Sequence, residues 1–116
     1  MATTRTVQTP SLTAAAPTVF TADGTGDKFL MPGSDAVILR ITNGGGSSIT
    51  ATIDDPNTVT PEAAQSFNAD VQITVPNGTS RVVKITGSRF NNSSDGGLVS
   101  ITWSSATSVT FELYSA

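Results

Sequence analysis

Ala36-Val-Ile-Leu-Arg-Ile-Thr-Asn-Gly-Gly-Gly-Ser-Ser-Ile-Thr-Ala-Thr-Ile-Asp54 reads as strand, turn, strand. Residues 36–42 form a β-branched and aliphatic run too short for a typical helix. Asn43-Gly44-Gly45-Gly46 supplies residues that tolerate the positive φ a reversing chain needs. Ile49, Ala51 and Ile53 then alternate with Thr50, Thr52 and Asp54, the period of a strand with one wet face. The first arm is nearly continuous in apolar residues and the second alternates. This predicts a hairpin, with residues 36–42 central in a sheet and residues 49–53 beside them.

Outward from this stretch the same texture recurs. Short strands are expected at 18–22, 28–31, 71–75, 81–85, 98–103 and 108–114, separated by Asp23-Gly24-Thr25-Gly26-Asp27, Pro32-Gly33-Ser34-Asp35, Pro76-Asn77-Gly78 and Ser104-Ser105-Ala106. Residues 55–68 carry Pro56 and Pro61 and lack strand character; one helical turn behind Pro61 is the local option. Seven or eight short strands without a firm helix predict an all-β fold, a single small antiparallel β-sandwich with jelly-roll or Greek-key connections. Ile38, Ile41, Ile53, Val71, Ile73, Val83, Ile85, Val99, Ile101, Val109, Phe111 and Leu113 are the expected interior. The sandwich is assigned to residues 19–116 and an extended N-terminal arm to residues 1–18.

Composition narrows the classes. The 116 residues suit one core, and only 13% are charged; 19 Thr and 14 Ser fill the outer strand faces and turns. Disordered chains of similar polarity lack spaced aliphatic alternation. The net charge is −3 and the six cations are scattered singly, so no concentrated basic face is expected to bind nucleic acid. The longest aliphatic run, Ala36–Leu39, is far short of a membrane span, and the N-terminal residues do not read as a signal peptide. Without Cys there is neither a disulfide nor a thiolate site, which fits a reducing cytoplasm.

Chemistry is sparse as well. No His and no Cys removes the usual general base and thiol nucleophile, and the acids fall mostly singly in turns, where Asp caps local donors. The reading is therefore of no enzyme, no cofactor and no metal. A calcium site at 23–27 or at Asp54-Asp55 is weighed against plain turns, since the spacing lacks a closing Glu. Asn-X-Ser/Thr triplets at Asn77, Asn91 and Asn92 read as turns. Trp103 and Tyr114 are either a sugar-binding platform or, for Trp103 in phase with Val99 and Ile101, core.

Thr-Ala-Asp-Gly-Thr-Gly-Asp-Lys-Phe (21–29), Val-Ile-Leu-Arg-Ile-Thr-Asn-Gly-Gly-Gly-Ser-Ser-Ile-Thr-Ala-Thr-Ile-Asp-Asp-Pro (37–56) and Val-Thr-Phe-Glu-Leu-Tyr (109–114), behind a Thr/Pro-rich arm, resemble small head proteins of tailed bacteriophages, especially those of actinobacteria. Within that group the chain looks like a capsid decoration, or cement, protein. The resemblance implies a structural protein on the outside of a phage head, made in bacterial cytoplasm. Its implied partners are the major capsid protein and its own copies in a trimer. A carbohydrate-binding or adhesin-like module of a phage fibre or tail shares the same chemistry and stands as the alternative.

The arm is expected to be the contact element. It is extended, punctuated by Pro10 and Pro17 and poor in apolar groups, so it has little reason to fold onto its own domain. Arg5, Val7 and Leu12 are its candidate capsid-contact residues, with unpaired backbone suited to strand addition; a frayed terminus is the alternative.

Overall fold

A computed structural model describes residues 2–10, 16–55, 70–86, 90 and 95–116. Among these residues nine strands form: β1 (Thr3–Arg5), β2 (Phe20–Thr21), β3 (Asp27–Leu30), β4 (Ala36–Asn43), β5 (Ile49–Ile53), β6 (Val71–Val75), β7 (Thr79–Thr86), β8 (Leu98–Trp103) and β9 (Val109–Ser115). They make two sheets, ordered β1-β3-β8-β5-β6 and β2-β9-β4-β7. Every named pairing is antiparallel except β1 with β3. The chain changes sheet at each connection but β5–β6. Setting β1 aside, this is the strand order of an eight-stranded jelly roll.

Alternation along the strands builds the core. Phe29, Val37, Leu39, Ile41, Ile53, Val75, Ile85, Val99, Ile101, Val109, Phe111 and Leu113 are all essentially inaccessible. Val71, Ile73 and Val83 are half-buried and pack at its margin. Ile38 departs from the expectation. In a strand its parity differs from that of Ile41, so with Val37, Leu39 and Ile41 inside it lies half-buried on the outer face. Phe90, outside every strand expected from the sequence, is buried.

The expected hairpin is also corrected. β4 is central in the four-stranded sheet, between β9 and β7, but β5 lies in the other sheet between β8 and β6. The stretch between them is a corner from sheet to sheet, and Asn43 holds it. Its buried amide donates to the carbonyls of Ser47 (2.8 Å) and Val75 (3.0 Å) and accepts the Gly45 N–H (3.0 Å). Val75 ends β6, so one side chain ties both sheets at the turn.

The arm is the third correction. Thr3–Arg5 adds to the five-stranded sheet beside β3, and Gln8 bridges Tyr114 at the edge of the other sheet. The Gln8 N–H donates to Leu113 O (2.9 Å), and the Ser115 N–H donates to Gln8 O (2.7 Å). Residues 3–8 thus cross the open side of the sandwich from one sheet to the other. Apolar content alone gives the segment little reason to fold; backbone pairing and one partly buried ion pair hold it. Residues 12–15 of the arm and the helical turn expected behind Pro61 lie outside the described residues.

Candidate functional site

Asp27 begins β3, and the alternation that buries Phe29 buries Asp27 too, at 1% exposure. The turn feeding it needs a glycine: Gly26 has φ 107°, and a Cβ there would sit 3.1 Å from the Ile101 carbonyl oxygen. The Gly26 carbonyl in turn accepts the Thr3 N–H at 3.1 Å, which starts β1.

Three groups meet around the Asp27 carboxylate. The Arg5 Nε–H donates to Oδ1 at 2.7 Å, while the indole N–H of Trp103 (2.8 Å) and the backbone N–H of Asp23 (2.9 Å) donate to Oδ2. Arg5 also donates from Nη2 to the carbonyl of Thr21 at 2.6 Å. Its guanidinium lies over Phe20 and Phe111, 5.3 and 5.9 Å from the ring centres. Phe111 stacks at 5.3 Å on both Phe20 and Trp103. Arg5, Asp27 and Trp103 belong to one sheet, Thr21, Phe20 and Phe111 to the other. The cluster is an inter-sheet clasp.

Asp23, on the same turn, accepts the hydroxyls of Thr3 and Thr25 and the Thr25 N–H. The Thr3 hydroxyl chiefly, then Thr25, stabilises its carboxylate and lowers its pKa to about 2. Protein donors thus occupy both acids of the 23–27 turn. Asp54 follows β5 and Asp70 precedes β6; burial first, and then the Asp70 charge, raises the Asp54 pKa. Asp55 is buried and its N–H donates to Asp70 Oδ1 at 2.7 Å. Among the described residues no group of three His, Cys, Asp or Glu is placed to hold a metal ion.

The three candidate contact residues separate. Arg5 is spent inside the clasp. Val7 packs on the core margin and, with Thr4, Thr6, Leu30, Met31 and Pro32, lines a groove of about 360 Å³ beside β1; Leu30 there is 59% exposed. Leu12 lies outside the described residues. Trp103 is core, and its one donor is committed to Asp27. Tyr114 is half-buried on the outer face of the four-stranded sheet. Its hydroxyl donates to Glu112 Oε1, and that bond raises the phenol pKa above its ordinary value; Arg40 takes Oε2 at 3.0 Å.

Reading by composition missed the clasp because it assigned Asp27 to a turn. The signal was present: two-residue alternation from Phe29 back to Asp27 predicts a buried acid, and a buried acid demands donors. Comparison of the chain with protein-family models, with curated proteins and with solved structures finds no match.

Proposed function

We propose that this chain is a structural protein of a tailed-phage virion, a decoration protein that sits on the outside of the head and bridges capsid subunits. The observation that carries the reading is the likeness of residues 21–29, 37–56 and 109–114 to phage head proteins. Those stretches supply the turn at Asp27, the corner at Asn43 and the central strand β9, so the likeness concerns the framework of the fold. The jelly-roll order supports it by analogy, since viral capsid domains use this architecture; lectin domains do also. The fibre or tail module that binds carbohydrate therefore stays as the alternative. It has lost Trp103 as a stacking surface, because the indole is inside. In the proposed role the chain needs no cofactor and performs no reaction. It binds the major capsid protein and its own copies as a trimer.

The test is quantitative analysis of purified particles. A copy number near that of the shell subunit, together with readdition of the pure protein to stripped heads, is the expected result. A few copies per particle favour the fibre or tail module, and absence from particles removes both readings.

A further inference from the structure

We propose that the outer edge of β7 is a strand-addition site for an acidic, extended segment of another protein chain. β7 is eight residues long and ends the four-stranded sheet. Hydrogen-bonding direction alternates along an antiparallel ladder. The Ala116 N–H donates to the Ala36 carbonyl, so the even-numbered residues of β4 face β9 and the odd-numbered ones face β7. Val37, Leu39 and Ile41 pair with Ile85, Val83 and Arg81. The N–H and C=O groups of Ser80, Val82 and Lys84 therefore point away from the sheet.

The side chains beside those groups define the partner. Val82 is 64% exposed, more than any other large apolar residue among the described residues. Arg81 and Lys84 are exposed and form no ion pair with a described residue; Arg81 donates to the neighbouring Ser80 carbonyl at 2.9 Å. The four strands of this sheet carry three cations, Arg40, Arg81 and Lys84, against one acid, Glu112, already paired with Arg40. Cations on a free edge oppose pairing with a second copy, which would bring Arg81 and Lys84 of both chains to one seam. An incoming strand with acids beside Arg81 and Lys84 and an apolar residue opposite Val82 removes that repulsion. It also pairs with the outward N–H and C=O groups of Ser80, Val82 and Lys84, which form no ladder with another described strand, as in strand addition to other sheet edges. The site stands on geometry and charge independent of any virion role, so its failure leaves the decoration reading untouched.

The probe is the peptide Thr-Glu-Thr-Val-Glu-Thr, with a Lys-for-Glu version as control. Each is added free and, separately, fused behind Ala116 through a Gly/Ser linker. Ala116 lies level with Ala36, which pairs with Thr86, so a fused strand starts at the end of β7 and runs antiparallel to it. Fusion raises its local concentration to roughly millimolar. In the acidic fusion, amide exchange at Ser80, Val82 and Lys84 should slow at least about tenfold, with Val83 and Ile85 unchanged. The free acidic peptide should shift the same amides, and about 1 M salt should abolish the effect. Arg81→Glu with Lys84→Glu should transfer the preference to the Lys version. Equal slowing by both fusions, or by neither, overturns the proposal. So does concentration-dependent dimerisation of the chain alone that Val82→Lys abolishes, since the occupant would then be a second copy.

Discussion

Asp27 is ionisable yet almost wholly buried, and its cost is met by a charge and two further donors. Removing one partner of such a pair is worse than never having built it, because the other is left uncompensated. Arg5→Ala should therefore destabilise the fold by about 3 kcal/mol, read as a loss in urea-unfolding midpoint. Asp27→Asn added to that variant should recover part of the loss, since a neutral amide still accepts from Trp103 and leaves no charge behind. Unfolding of Arg5→Ala at the wild-type midpoint would show that the guanidinium holds nothing. Asp23 differs, being only half-buried. Its pKa falls from 3.8 to about 2 on folding. The stability it contributes is thus fully present above about pH 4 and is lost as pH drops through about 2. Thr3→Val removes the largest cause of the shift, so the variant's deficit in melting temperature should be visible at pH 6 and vanish at pH 1.5. An equal deficit at both values would mean that Thr3 acts through packing instead.

At the scale of elements, Asn43 decides where β5 goes. Asn43→Ala leaves the Gly45 N–H and the Ser47 and Val75 carbonyls short of a partner in a buried corner, at about 1–3 kcal/mol for each group water cannot reach. A loss of at least ~2 kcal/mol is expected, with slowed amide exchange at Gly45 lost; a change under ~0.5 kcal/mol would mean that the glycines alone set the corner. The strands themselves are legible: a nearly continuous apolar run marks β4, period-2 alternation marks β5, β8 and β9, and Phe111 and Leu113 are interior as their phase predicts. Their sheet membership is not. Asn-Gly-Gly-Gly specifies that the chain reverses, whereas the choice of sheet rests on a bond to Val75, 32 positions along. The arm was misread for the same reason, since Arg5 looks unpartnered until Asp27, Thr21 and Phe111 are brought to it. Ile38 failed on arithmetic within one strand and was recoverable from the sequence.

Over the whole molecule, the N-terminal segment joins the two sheets along the side where β2 ends one and β3 would otherwise end the other. Deleting residues 2–8 should lower the melting temperature substantially and redden the emission of Trp103, the protein's one tryptophan, as its indole N–H loses its ordered surroundings. Unchanged emission and melting would return the segment to the status of a loose end. The clasp also orders events in time. β1 leaves the ribosome before the other eight described strands, but Arg5 and Gln8 dock on Phe111 of β9 and on the backbone at Leu113–Ser115. Contacts so distant along the chain form late, because loop closure must precede their reward. During synthesis the N-terminal segment therefore meets β3 first, and the sandwich seals only when β9 arrives to receive Gln8.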